Sequence, residues 1–391
     1  MDPKISELLT RGVAEIIDAK HLEAQLLSGK KLRVKLGIDP TSPNIHIGRA
    51  VLLWKLRVFQ ELGHTAIFIV GDFTGMIGDT SDKDSERPML TEKEIESNKA
   101  TYFDQAFKIL DKKKTEIYYN SKWLKKLGFL EIARMANLFG LHEMASRDVI
   151  ARRMKADKRV SVHELMYPLM QGYDSVAVKA DVELGGTDQR FNLLAGRRIQ
   201  PQYGQQPQDI VMTNLIEGTD GRKMSSSWGN VVNLTDKPND MFGKVMSIND
   251  NLIIKYFEYT TPVAMPQIKQ YVKELKAGAN PSHIKKRLAC ELVTLYHGAK
   301  NAAAAQAEFE KVFGKKEKPT KMPEMKVKSQ SIIDLLVETK LASSKSEARR
   351  LVQQKAVKFN DEIIDEWDTM VDLRDGVVLQ VGKRKFLKLK I

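Results

Sequence analysis

The chain has 391 residues, too many for one ordinary hydrophobic core, so two or three domains are expected. Hydrophobic residues make up 42% and charged residues 29%, which excludes an intrinsically disordered chain. Lys and Arg number 63 against 50 Asp and Glu, a net charge of +13, and that surplus favours a polyanionic partner, nucleic acid ahead of an acidic membrane surface. The single cysteine, Cys290, allows no intramolecular disulfide, and no Cys/His cluster suggests zinc. No apolar run approaches the ~18–20 residues of a membrane span. The N-terminal MDPKISELLTRGVAEIIDAK lacks the apolar stretch of a signal peptide. A cytoplasmic protein that handles a polyanion is expected.

From about residue 33 to 230, short β-type runs alternate with helical patterns. LRVKLGI (32–38) predicts a strand, GRAVLLWKLRVFQELG (48–63) a largely buried helix, and TAIFIVGD (65–72) a strand of the kind buried in a parallel sheet. This βαβ texture predicts a doubly wound α/β domain over residues 1–230. Residues from about 85 to 150 read as a helical insertion, after which KADVELGGTDQ and QDIVMTNLI return to strand texture. Residues 231–314 predict an α-helical domain, with Asn280-Pro281 as a helix start and Ile284, Leu288, Leu292 and Leu295 along one face. KKEKPTKMPEMKVKSQ (315–330) predicts an extended, mobile linker, and residues 331–391 a small α+β module.

Two loops carry chemistry. GIDPTSPNIHIGR (37–49) follows the first strand, where Gly37 and Gly48 permit close approach of a ligand and the helix start offers unpaired N–H groups to a phosphate. His46 and Arg49 add donors there. Neither standard glycine-rich phosphate loop is present, so if a nucleotide binds, it binds without one. GTDGRKMSSSWGN (218–230) predicts a mobile lid, with Lys223 as a point charge for a polyphosphate. Between the two loops, Tyr167, Gln171 and Asp174 fall at i, i+4 and i+7, one helix face that brings together a phenol, an amide and a carboxylate.

Either loop alone is more often an ordinary turn. Together, in this order on an α/β pattern, they resemble the HIGH and KMSKS signatures of class I aminoacyl-tRNA synthetases. Here these read His46-Ile47-Gly48-Arg49 and Lys223-Met224-Ser225-Ser226-Ser227. With Asp79, the 167–174 face and GGTDQ, the chain from about residue 30 onward resembles the tyrosyl-tRNA synthetases. SKSEARRLVQQKAVKFN (344–360) resembles the S4 RNA-binding fold. Its RNA-binding candidates are Lys345, Arg349 and Arg350 on the helix and Lys383, Arg384 and Lys385 at a basic strand end that continues to Lys388 and Lys390.

The resemblance implies ATP-dependent activation of L-tyrosine to tyrosyl-adenylate, followed by transfer to the 3′ end of tRNA(Tyr). Mg²⁺ would accompany ATP, without a dedicated protein metal site or tightly bound cofactor. It implies that Thr41, His46, Arg49, Lys83, Arg87 and Lys223 act on the phosphates. Gly48, Gly186, Asp188, Met224, Ser225 and Ser226 would complete the ATP site. Lys35, Gly37, Asp39, Asp79, Tyr167, Gln171, Asp174 and Gln189 would form the tyrosine site. In that scheme Asp79, Tyr167 and Gln171 meet the α-ammonium and Asp174 the phenol. A homodimer is implied, with its interface in the 85–150 segment. Three positions depart from the family pattern. Arg49 replaces the second histidine, Ser226 replaces the second lysine, and Lys35 stands where many members carry a tyrosine facing the substrate hydroxyl. These departures define an alternative, a catalytically inactive, synthetase-derived RNA-binding protein. A tryptophan-specific enzyme is a second alternative, which has no need of an acid at Asp174.

Overall fold

The computed structural model describes residues 2–79, 89–314, 322–382 and 385–391. Lys83, Arg87, Lys383, Arg384 and the start of the expected linker lie outside the described residues. The chain divides into two compact units, one up to Ala302 and one from Ala303.

The first unit is built on a six-stranded sheet in the order β1-β6-β5-β2-β3-β4. The strands are β1 (Val13–Ile17), β2 (Arg33–Ile38), β3 (Thr65–Val70), β4 (Thr115–Tyr119), β5 (Val182–Gly186) and β6 (Asp209–Thr213). All neighbours run parallel except β1, which pairs antiparallel with β6. The interior strands are short apolar runs covered on both faces, which is why β3 reads TAIFIV with Ala66 to Val70 all buried. After β2 the chain winds outward through β3 and β4. It later returns to β5 and winds the other way through β6, so the winding reverses between β2 and β5. The crevice outside the carboxyl ends of those two strands is where ligands bind in open α/β sheets.

Two helices frame that crevice. The signature helix, Ile47–Glu61, buries Ala50, Val51, Leu53, Leu56 and Phe59. The pocket helix, Val162–Val178, starts in a capping box between Ser161 and Glu164. Pro168 lies inside it and cannot donate to the carbonyl of Glu164; the Arg147 guanidinium takes that carbonyl at 3.4 Å. Glu164 is also ion-paired with Arg153 in the interior. Gly172 lets the next helix, Arg190–Ile199, pass close: a Cβ there would meet the backbone of Ala195 and Gly196 at 3.2 Å.

Three expectations about organisation need correction. The 85–150 segment is mainly helical among its described residues but is not just an insertion, because TEIYY forms β4 against β3 and joins the main sheet. The helical region, whose members include Pro238–Met246, Ile253–Thr260 and Pro281–His297, is not a separate body up to Ala302. It packs into the first unit, where Arg11 donates to the carbonyls of Glu258 and Thr261 at 2.7 Å and Trp54 donates to Tyr296 Oη at 3.2 Å. The expected linker is partly strand. β7 (Glu324–Lys326) pairs parallel with β11 (Lys385–Lys390), because its main chain supplies the partner that an edge strand otherwise lacks.

The second unit is α+β, with a sheet in the order β7-β11-β10-β8-β9, where β8 is Val357–Phe359, β9 Glu362–Ile364 and β10 Val378–Val381. Helices Ile332–Glu338 and Lys345–Gln353 share a core with it, made by Ile332, Leu335, Leu336, Ala348, Val352, Leu379 and Leu389.

Candidate active site

One cavity of about 220 Å³ opens at the carboxyl ends of β2 and β5. It is lined by Lys35, Gly37, Asp39, Thr41, His46, Gly48, Arg49, Asp79, Tyr167, Gln171, Asp174, Gly186, Asp188, Gln189, Lys223, Met224, Ser225 and Ser226. Every tyrosine-site and ATP-site candidate within the described residues therefore reaches one space, from segments far apart in sequence.

The deep end is buried. Asp174 is 4% exposed, and its two oxygens accept from Trp123 Nε1 at 2.7 Å and Asn120 Nδ2 at 3.1 Å. Burial pushes its pKa up to about 7, against the nearby Lys35 cation and these two donors, which favour the carboxylate. Trp123 and Asn120 follow β4, in the stretch read as an insertion, and sequence reasoning missed both. No local motif marks them; their role exists only because β4 lies beside β3. Tyr167 is buried and donates to Asp39 Oδ2 at 2.9 Å, while Thr74 donates to Asp39 Oδ1 at 2.7 Å. Burial first, then the negative charges of Asp39 and Asp79, raise the Tyr167 phenol, so it stays a neutral donor. Gln189 donates to Asp79 at 2.6 Å.

Lys35 lies at the floor of this end and differs from the expectation. Its ammonium donates to Gln171 O at 2.9 Å and Ser175 Oγ at 2.8 Å, and lies 2.8 Å from Glu183 Oε1 as an ion pair. Lys35 thus lines the cavity with its ammonium turned to these three protein groups. Gln171 also turns its amide to Glu183 Oε1, at 3.1 Å. Glu183 went unread in the sequence. The available signal was a lone acid within VELGG, opposite a lysine in the neighbouring apolar strand.

The outer end gathers the two signatures. His46 caps the signature helix, its Nδ1 accepting from the Arg49 N–H at 3.3 Å, so Nε2 carries the proton of the neutral ring. Burial, then the Arg49 and Lys223 charges, push its pKa down to about 3, so it is a neutral donor. Gly48 is required by this packing, since a Cβ there would lie 3.0 Å from both His46 Nδ1 and Ile216 Cγ2. Arg49 reaches Asp39 O, Tyr102 Oη and Thr41 Oγ1, each at 3.2 Å. Tyr102 and Gln105 brace the loop before His46 through Ser42 O, Pro43 O and the Ile45 N–H.

The second signature is held by side-chain and backbone hydrogen bonds. Asn230 accepts from Ser225 N at 2.8 Å and donates to Lys223 O at 3.0 Å and Asp220 Oδ1 at 2.7 Å. Met224 is buried and its N–H bonds Ile216 O at 2.9 Å. Lys223 Nζ lies 2.7 Å from Asp188 Oδ2, a partly exposed pair. Ser226 is exposed, and its hydroxyl accepts from Ser42 Oγ at 3.3 Å. The backbone pairs Ile47 N with Val232 O at 2.8 Å and Leu234 N with Ile45 O at 2.9 Å, which stitches the two signatures together.

In the second unit, Lys345, Arg349, Arg350 and Lys385 are exposed. Arg349 stacks on Trp367 at 4.8 Å, Lys345 pairs with Asp334, and Lys388 and Lys390 pair with Glu324.

Among described residues no helix is long and apolar enough to cross a membrane. The family described as tRNA synthetases class I (W and Y) matches residues 27–314, and the tyrosine–tRNA ligase SYY-like C-terminal domain matches 309–389. The tyrosine–tRNA ligase of Moorella thermoacetica is 48% identical over 390 residues, covering 98% of this chain and 94% of that protein. That of Thermotoga maritima is 47% identical, covering 98% and 96%. In fold the chain is similar to a C-terminally truncated mitochondrial tyrosyl-tRNA synthetase of Aspergillus nidulans, with TM-score 0.68, 21% identity, and coverage of 80% and 95%. It is also similar to the Archaeoglobus fulgidus synthetase complexed with L-tyrosine, with TM-score 0.62, 23% identity, and coverage of 78% and 99%. Relatives of this kind over nearly the whole length do not favour the reading as an inactive RNA binder. With both signatures and the acid-floored pocket in one cavity, the chain belongs to the tyrosyl-tRNA synthetases, the class I tyrosine–tRNA ligases that use tyrosine, ATP and tRNA as substrates.

Proposed function

We propose that the cavity works from its deep end outward. Asp174 accepts the phenol O–H of tyrosine, and Asp79, Tyr167 and Gln171 meet its α-ammonium, with Asp39 orienting Tyr167. Gln189 meets the carboxylate region. That carboxylate attacks the α-phosphorus of ATP and pyrophosphate leaves, so the protein has no proton to remove and acts by positioning and charge stabilisation. His46 Nε2–H, Thr41, Arg49 and Lys223 donate to the phosphates, Asp188 holds the ribose and Met224 packs on the adenine. Lys83 and Arg87 are assigned to the leaving pyrophosphate by resemblance alone. Mg²⁺ would arrive as the ATP complex, adding positive charge at the phosphates. The Lys223–Asp188 pair must exchange partners when ATP enters. The observation that carries this reading is the buried, doubly hydrogen-bonded Asp174 at the floor of the cavity that also holds His46 and Lys223. ATP–pyrophosphate exchange with tyrosine, tryptophan and phenylalanine side by side tests it. Only tyrosine should support exchange; equal exchange with phenylalanine would remove Asp174 as the discriminating group.

Further proposals concern the rest of the molecule. Residues 331–391 form the tRNA-binding module, through Lys345, Arg349, Arg350 and Lys385 and by resemblance Lys383 and Arg384. A chain ending at Lys318 should keep pyrophosphate exchange and lose tRNA charging. Its log affinity for tRNA should depend less steeply on log salt, by roughly 0.7–0.9 for each phosphate no longer bound. Unchanged tRNA affinity and slope would remove the RNA-binding assignment. A cytoplasmic homodimer is proposed, its interface including the exposed apolar residues Phe129, Leu130, Leu141 and Val162.

A further inference from the structure

The tyrosine pocket rests on a buried ion pair that the assigned chemistry does not use. Lys35 on β2 and Glu183 on β5 are register partners on neighbouring parallel strands, and they are 0% and 1% exposed. Glu183 is bonded on both oxygens. Oε1 takes Lys35 and Gln171 Nε2, and Oε2 takes Ser175 Oγ at 3.0 Å and Gln208 Nε2. Gln208 is itself fully buried. Removing two charges from water costs several kcal/mol per ion, so a buried pair is weak evidence for stability and an apolar pair would fill two strand interiors as well. The pair's place beside Asp174 gives it a use. A lysine at this floor without an acid of its own would set a free ammonium beside Asp174, where it would occupy the oxygens that the phenol needs.

We infer that Glu183 is a positioning residue for tyrosine recognition: by engaging the Lys35 ammonium, it leaves the Asp174 carboxylate open to the substrate phenol. Lys35 then acts on Asp174 through space, as a cation held at the pocket floor, and its positive charge favours the ionised acid that burial opposes. The groups facing Asp174 are Lys35 from β2, Glu183 from β5, and Trp123 and Asn120 from the segment after β4. Asn120 is in turn bonded to Thr74, and Tyr167 lies on Asp174's own helix.

The inference rests on Asp174 as the phenol acceptor, so Asp174→Asn is measured beside it. Glu183→Gln keeps the shape and releases the ammonium. KM for tyrosine should rise by roughly tenfold or more, with KM for ATP nearly unchanged. The acid limb of kcat/KM for tyrosine should move to lower pH, as Lys35 then pairs with Asp174. Lys35→Met should move that limb the opposite way, because an uncompensated Glu183 anion faces Asp174. The double variant, with no ammonium to compete, should recover most of the tyrosine KM. If Glu183→Gln does not fold, Lys35→Met and the double variant are compared, and the acid limb should lie higher in the former. Equal losses for tyrosine and ATP, limbs moving together, or no recovery in the double variant would overturn the inference. An unchanged tyrosine KM in Asp174→Asn would instead overturn the role of Asp174 itself.

Discussion

At the deep end of the cavity, Lys35, Glu183, Tyr167 and Asp174 stand on two strands and one long helix, are buried, and are held by protein partners. At the phosphate end Lys223 stands on a loop and pairs with Asp188, and the two are 28% and 19% exposed. The difference suits the proposed roles, tyrosine at the deep end and phosphates at the outer end. A phenol is told from a phenyl ring by a single hydroxyl, so its acceptor must be fixed and dry, where an unmade hydrogen bond is costly. For this enzyme family, discrimination against phenylalanine is roughly 10⁵ without editing. Triphosphate charge changes during reaction and must leave as pyrophosphate, so its donors are better placed on segments that can exchange partners.

Removing the acceptor should have the largest effect. Asp174→Ala should lower kcat/KM for tyrosine by roughly 10²–10³-fold, as for loss of a charge-assisted, buried hydrogen bond, with ATP affinity little changed. Steady-state exchange kinetics in each substrate checks this, and a normal tyrosine kcat/KM would place the pocket elsewhere. Lys223→Ala should slow adenylate formation by roughly 10²-fold and leave tyrosine binding alone. Rapid mixing with labelled ATP decides it; a neutral result would separate the loop from catalysis.

The two ends should also oppose each other in pH-dependent stability. Asp174 is raised from 3.8 to about 7, so the folded state holds its proton more tightly and this stabilisation is lost as pH rises from about 4 through 7. His46 is lowered from 6.5 to about 3, so the unfolded state binds the proton and stability is lost as pH falls from 6.5 towards 3. The Tm gap between parent and Asp174→Asn should therefore shrink with rising pH, and that between parent and His46→Asn should shrink with falling pH. Gaps that move together would contradict the contrast. The smallest effect is expected at Ser226. It is exposed and, among the described residues, its side chain bonds Ser42, so Ser226→Lys should fold normally and change adenylate formation by a few-fold at most, towards faster.

Much of the site was legible. The GIDPTSPNIHIGR and KMSSS segments and the Tyr167–Gln171–Asp174 face all line the cavity, because each is a local pattern, a turn or a helical spacing, that survives without knowledge of neighbours. The groups that hold them were not legible. Trp123 and Asn120 follow a strand that looked like part of a helical insert. TEIYY has only five residues; four of them favour strands, but which neighbour it pairs with, β3, is fixed only by the tertiary structure. Tyr102 and Gln105 serve the first signature from a segment about sixty residues later.

By itself the sequence determined the doubly wound texture, the two glycine-bearing loops and the Tyr167–Gln171–Asp174 face that meet in one cavity. Those rest on composition, on strand and helix periods and on glycine at tight approaches, all of them local. Only the tertiary structure decided what each charge does. Lys35 reads as a candidate partner for the substrate and becomes one half of a buried pair, because the β2–β5 register sets it opposite Glu183. The serine-rich loop reads as free and is pinned by Asn230 and stitched to the first signature. A charge in a low-dielectric interior is governed by whichever partners the fold brings within hydrogen-bonding distance, and those partners lie far away in the chain.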